Sequence, residues 1–289
     1  ISPIKLDNLP DFMNDPEVFF DLENPVVYVE VFNPLPADAE TAITMRSVYD
    51  NGTPIEKSTG KVAIPANAHT IFCLADHFEN IKHPAEYPVN NIQEIRIPAL
   101  NELLAQIPKE IEVEVDDIEM EVNNLSLPGE YDVKVNYKIF TPLAFGEKFL
   151  LVYQDSETGW AVDIDEELAK IDAQEISLKA VAVSDLPLDL TFTVKPLDEK
   201  GKEIKDLQLQ QIGTIKANSS GANVSFSIKP AKGHTLKEFL SGENGQKIDG
   251  VHYRAEAKAP QSGTLKETAN LRLKDITISV KGCVSYDAN

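Results

Sequence analysis

The stretch VFNPLPADAETA, Val31–Ala42, breaks an apolar strand with Asn-Pro and sets a second proline two residues later. Proline has no backbone N–H to give to a sheet ladder, so Pro34 and Pro36 mark a strand end or a sheet edge. Such a bend moves the chain from one sheet to another and blunts the edge against further pairing. The same order recurs downstream. Val31–Ile55 reads apolar strand, proline bend, alternating strand, acidic-Gly turn, isoleucine; Ala182–Ile204, AVSDLPLDLTFTVKPLDEKGKEI, reads likewise. Pro36 precedes Gly52 by 16 positions and Pro187 precedes Gly201 by 14. VAIPANAHTIFCL and GTIKANSSGANVSFSI then follow as strand, Ala-Asn turn, strand. The expectation is a duplicated β-sandwich unit, with residues 20–75 and 178–230 superposing under one connectivity.

Period-two runs extend this outward. VVYVEVF (Val26–Phe32), IEVEV (Ile111–Val115), YDVKVNYKI (Tyr131–Ile139), LTFTV (Leu190–Val194), VSFSI (Val224–Ile228) and ITISV (Ile276–Val280) each put apolar side chains on one face, as half-buried strands do. Turn signals separate them at 50–54, 127–130, 155–159, 198–202 and 218–223. Helical candidates are short: Leu100–Ile107 stopped by Pro108, Asp165–Ile171, and a segment opened by Thr235 and Glu238 at capping-box spacing and closed by Gly242. The fold class is therefore all-β: tandem antiparallel immunoglobulin/fibronectin-like β-sandwich domains with a few short helices. Three units are expected: 1–98, a middle β unit at 99–175 with a short N-terminal helix, and 176–289 as the second copy.

Composition narrows the partners. The formal charge is −20, from 27 Lys and Arg against 47 Asp and Glu. That surface repels phosphate backbones and anionic headgroups, which argues against nucleic acid. Two cysteines, Cys73 and Cys283, make no disulfide framework and read as buried free thiols in different units. No apolar run approaches the ~18 residues of a membrane helix. The chain opens on Ile1, which suggests a trimmed signal or tag and, upstream, a lipid anchor as the membrane attachment. Sequons occur at Asn51, Asn124, Asn218 and Asn223, which matter only in a eukaryotic secretory pathway.

The pattern VEVFNPLP followed by DNGTPI resembles the sandwich of plant desiccation-related (LEA-like) proteins, itself similar to fibronectin type III domains; Asn33-Pro34 and Asn51-Gly52 carry the match. The second copy departs, with Ser184-Asp185 in place of Asn-Pro. YKIFTPLAFGEKFLLVYQDSETGW (Tyr137–Trp160) and the terminal LRLKDITISVKGCV resemble uncharacterised secreted or surface lipoproteins of gut Bacteroidetes, some described as cell-adhesion proteins. The resemblance implies sandwich domains, export to the periplasm or outer membrane, and no catalytic residues.

Chemistry is sparse. His69, His77, His83, His234 and His252 show no HExxH or HxH spacing, so no zinc set is expected. GxSxG, P-loop and GxGxxG patterns are absent, leaving no nucleophile elbow or phosphate cradle. Asp116–Val122 and Val162–Leu168 are acidic; Asp163 and Asp165 could share a face toward calcium, yet no Gly-containing loop follows, and a solvated face is the simpler reading. No catalytic, cofactor or metal residue is nominated. Trp160, the single tryptophan, follows DSETG and is expected just past a hairpin tip, with Tyr153 across the turn as the second ring of a sugar-stacking pair. A ring packed over a hairpin or domain junction is the competing reading for Trp160. The functional expectation is a non-enzymatic cell-surface or periplasmic protein that binds glycan or an extracellular protein. The alternatives are a glycan hydrolase with acidic residues at a domain junction and an assembly scaffold pairing through edge strands.

Overall fold

The computed structural model describes residues 3–5, 10–49, 52–120, 133–162, 171–212 and 214–284. The contacts divide into two units, Ile1–Phe149 and Leu150–Asn289. The turn signals at 50–51 and 127–130, residues 165–170 of the helix expected over Asp165–Ile171, the carboxylates of Asp163 and Asp165 and the sequons at Asn51 and Asn124 lie outside the described residues, and Ile171 itself opens a strand.

The first unit runs β1 (Ile4–Lys5), β2 (Val26–Asn33), β3 (Ala39–Val48), β4 (Ile55–Ile64), β5 (Ala68–Ala75), β6 (Ile92–Arg96), β7 (Glu110–Val115), β8 (Glu119–Met120), β9 (Lys134–Phe140) and β10 (Ala144–Phe145). One sheet has the order β1-β7-β3-β4, with β8 also on β3; the other is β6-β5-β2-β9. Alternate residues of β2, β3 and β5 fill the space between: Val27, Val29 and Val31 face Ile43 and Met45, with Phe72 and Leu74 beside them. Among the described residues the ladders of this unit are antiparallel except β5–β6, where Ile71 lies parallel to Ile92.

That parallel pair needs a crossover, and residues 76–91 supply it. They cover the outer face of the second sheet. Val26, Tyr28, Ile71, Cys73 and Ala75 are buried there with Tyr87, against Phe78 and Ile81. So β2 is buried on both faces over its first four residues, not half-buried as its period-two reading suggested; the contiguous run VVYV is the sequence sign of that.

The second unit runs β11 (Leu150–Thr158), β12 (Ile171–Ser184), β13 (Asp189–Asp198), β14 (Leu207–Ile212), β15 (Ala222–Pro230), helix α1 (Leu236–Ser241), β16 (Ile248–Lys258), β17 (Gly263–Thr264) and β18 (Leu271–Val284). Its sheets are β11-β16-β13 and β14-β15-β12-β18. Ile204, Leu207, Phe239 and Ile248 build the core, with Ala173 on β12. Thr235 caps α1 by accepting the Glu238 N–H, and Gly242 ends it at φ 80°, as the capping-box spacing led one to expect. The other helical candidate that is described forms a 3-10 turn, Leu100–Leu104, and not an α-helix. The strands expected to form a middle unit are shared out: β7 pairs with β3 and β9 with β2, while β11 pairs with β16.

The single connectivity expected for residues 20–75 and 178–230 does not hold: the two segments share one corner and differ in the pairing of one strand. Asn33 Oδ1 accepts the Leu35 N–H at 3.0 Å, and Ser184 Oγ accepts the Leu186 N–H at 3.2 Å. Asp38 takes the Ala66 N–H at 2.8 Å, and Asp189 takes the Ala217 N–H at 2.9 Å. Asn67 at φ 50° donates to Leu35 O, and Asn218 at φ 53° donates to Leu186 O. Ala39 pairs with Ile64, and Leu190 bridges Ile215. Every residue of the second set lies 151 positions after its counterpart. The first strand also pairs with the fourth in both, β2 with β5 and β12 with β15. The third strand differs: β4 pairs with β3, whereas β14 pairs with β15 in the opposite sheet. Ile204 is the physical reason. Its amide bonds to Pro196 O and its side chain is fully buried beside Leu207, while Glu203, Lys205 and Asp206 stay exposed, so this one anchor fixes where the chain after β13 crosses to the other sheet.

Candidate functional site

The richest side-chain network in the first unit lies on the outer face of sheet β6-β5-β2-β9. Asn24 anchors its rim. At φ 44° and followed by Pro25, it ends the approach to β2 in a left-handed turn. Its amide donates to His77 O at 2.8 Å and accepts the N–H groups of Asp76 and His77. This fixes where the crossover leaves β5. Asp76 continues the anchor: it accepts the Ala99 N–H at 3.1 Å and pairs with Arg96 at 3.1 Å, which together hold its carboxyl below the usual range.

Tyr28 is the centre. It is 1% exposed, and its hydroxyl is 2.9 Å from His83 Nδ1. His83 Nε2 lies 3.6 Å from Glu94. The Tyr28 ring meets Tyr87 at 5.1 Å and Phe140 edge-on at 5.5 Å. Tyr87 donates to Glu30 at 3.0 Å, and Glu30 also faces His69 at 3.3 Å. Burial, with the neighbouring Cys73 thiol, pushes the Tyr28 phenol well above its ordinary pKa. Burial pushes Cys73 up to about 11. Both groups keep their protons at neutral pH, so the thiol is not a ready nucleophile. Cys73 is a free, buried cysteine, as the sequence suggested.

A cleft of about 510 Å³ opens over this network, lined by Tyr28 and Phe140 on one side and His77, Glu79 and Lys82 on the other. Phe140 is 42% exposed at its mouth. A smaller hollow of about 330 Å³ adjoins it across Asn24 and His77 and is lined by Asp21, Asp76 and Asn101. On the other sheet, Glu40, Glu114, Asp116, Asp117 and Glu119 surround an acidic hollow of about 430 Å³ with Lys61, which pairs with Glu119. Among the described residues no three His, Cys, Asp or Glu side chains converge as a metal site.

Trp160 and Tyr153 do not form one platform. DSETG is not a hairpin tip: residues 155–158 are strand, paired with β16 from Tyr253 to Gly250. The reason is Gly250, where a Cβ would overlap the Glu157 carbonyl; its absence lets the polar end of β11 close onto β16. Tyr153 and Thr158 are then roughly 17 Å apart along one strand, with Trp160 beyond. Tyr153 is 39% exposed and lies 5.9 Å from the Tyr253 ring, a neighbour that helps push the Tyr253 phenol up to about 12. Trp160 is half-buried in a 3-10 turn. The Asp249 carboxylate pins that turn by accepting the Gly159 and Ala161 N–H groups, at 3.1 and 2.9 Å.

Sequence reasoning nominated neither Tyr28 nor Phe140 and weighed His77 only as a zinc ligand. One signal for them was present: a second Asn-Pro, Asn24-Pro25, stands at the opposite end of the strand from Asn33-Pro34.

No family model matches the chain, and no curated protein matches it. A solved structure described as a "putative secreted protein" from Parabacteroides distasonis is similar at a TM-score of 0.51 and 10% identity, over 89% of this chain and 80% of that one. At that identity the likeness concerns the fold. No helix among the described residues is long and apolar enough to cross a membrane.

Proposed function

We propose that the protein is an exported, non-enzymatic binding protein that takes a saccharide in the cleft beside Tyr28. The observation that carries this is the exposed Phe140 ring at the cleft mouth, held edge-on by buried Tyr28 and faced by His77, Glu79 and Lys82. An aromatic face suits the C–H side of a sugar ring, and imidazole, carboxylate and ammonium groups suit its hydroxyls. Protonated Tyr28 and Cys73, with Glu30 and Glu94 already engaged by Tyr87 and His83, favour holding a ligand over turning it over. The likeness to a structure described as secreted supports export. Attachment would come through an N-terminal lipid upstream of Ile1, and adhesion would be the use of the site.

Glycan-array binding followed by calorimetry tests the reading. Wild-type protein binds at least one glycan class, Phe140→Ala loses that binding, and Trp160→Ala keeps it. Binding abolished by Trp160→Ala but not by Phe140→Ala moves the site to the second unit. Release of reducing sugar from a bound glycan establishes the hydrolase alternative instead.

A further inference from the structure

Strand β18 is the free edge of its sheet among the described residues, and every residue from Arg272 to Lys281 is exposed. Its apolar side chains are not on the solvent side by design of the pleat. Val280 lies opposite Ile176 and Ile278 opposite Leu178, so they share a face with residues turned to the core. Ile176 packs against that core, yet Ile276, Ile278 and Val280 are 57%, 68% and 55% exposed. The sheet arrangement explains this. The two sheets meet at the β13–β14 corner through the Leu190–Ile215 and Leu197–Glu203 bridges. On the opposite side β11 and β18 are the edges, and no ladder joins them among the described residues.

An exposed edge with an uncovered apolar row is a template for one more strand. The sequence of β18 indicates which. Residues Asp275–Lys281, DITISVK, are self-complementary about Ile278. In an antiparallel pair with its own copy, centred there, Ile278 faces Ile278, Ile276 faces Val280, Thr277 faces Ser279, and Asp275 faces Lys281. Apolar meets apolar, hydroxyl meets hydroxyl, and each acid meets a base, the cross-strand pairs that stabilise a sheet. Within the paired segment Asp275 balances Lys281, so Asp275–Lys281 carries no net charge against its own copy, and Arg272 and Lys274 lie outside it. Length is limited at one end by a bulge, where the ladder with β12 shifts between Lys179 and Val181 and Asp275 takes φ 52°.

We propose that the protein forms a two-fold symmetric dimer by antiparallel pairing of β18 with β18 of a second copy, centred on Ile278. The interface is isologous and closed, so association stops at two. One pair of short strands covers less than the ~1,200 Å² typical of a stable complex, so the dimer is weak and concentration-dependent.

Sedimentation of the full chain from micromolar to millimolar concentration tests this, alongside cysteine cross-linking. Wild-type protein shifts from monomer to dimer over that range. Ile278→Lys sets two like charges on the axis, and Lys281→Glu sets acid against acid twice; each weakens dimerisation roughly tenfold or more with an unchanged circular dichroism spectrum. In a Cys283→Ser background, Ile278→Cys oxidises to a covalent dimer, because self-opposed residues approach to ~5 Å. Ile276→Cys does not, since its own copy lies roughly 13 Å away along the strand. A wild-type monomer at millimolar concentration overturns the proposal. So does a mass series running past the dimer, or cross-linking of Ile276→Cys as efficient as that of Ile278→Cys.

Discussion

Asn33 Oδ1 accepts the backbone N–H of Leu35 at 3.0 Å, across the proline that separates them. The Asn33 amide nitrogen meanwhile donates to the carbonyls of Ala37, Ile64 and Pro65. One side chain, 1% exposed, thus satisfies polar backbone that the prolines and the change of sheet would leave without partners.

Asn33→Ala strands several buried groups at once and is expected to cost about 2–4 kcal/mol. Ser184→Ala, which removes the one bond to Leu186, is expected to cost about 1 kcal/mol. Urea denaturation midpoints of the two variants check the difference; equal losses would remove Asn33 from the centre of its corner.

Gly250→Ala puts a methyl group onto the Glu157 carbonyl, and the obstruction is backbone that cannot rotate aside. The expected result is displacement of β11, read as faster amide exchange from Tyr153 to Thr158, with β12 and β15 still protected. Exchange that stays slow in β11 would show that the strand tolerates the crowding.

Cys73 links stability to alkaline pH. Its pKa is raised from 9.0 to about 11 in the folded chain, chiefly by burial. Below pH 9 the thiol is protonated whether folded or not, and its contribution is complete. As pH rises from 9 to about 11 the unfolded chain releases the proton and the folded chain does not, so stability falls by up to about 1.4 kcal/mol per pH unit for this group. Cys73→Ala is expected to flatten that slope while costing some packing at every pH. Melting curves between pH 7 and 11 compare the two proteins; parallel declines would assign the alkaline loss elsewhere.

Thr235→Ala removes the oxygen that accepts the Glu238 N–H at the start of α1. A loss of about 1 kcal/mol is expected. Thr235→Ser restores the acceptor and is expected to recover most of it, as thermal melts of the three proteins would show.

By itself the sequence determined the class of fold and its corners. Period-two runs specify strands because side chains alternate across a pleat, and prolines specify where ladders stop, since both are local properties of the chain. Asn67 and Asn218 take left-handed turns, and Thr235 and Gly242 close a helix, for the same local reason. Pairing depended on what each strand met at a distance. DSETG is built from turn formers, yet Gly250, more than ninety residues later, admits it as a strand. KEI looks like the entry to a hairpin strand, yet burial of Ile204 sends β14 to the other sheet. The cleft beside Tyr28 needs β2, β9 and the crossover at once, so no single stretch announces it. Tertiary structure alone decided these points, because burial is a property of the assembled core and not of any short segment.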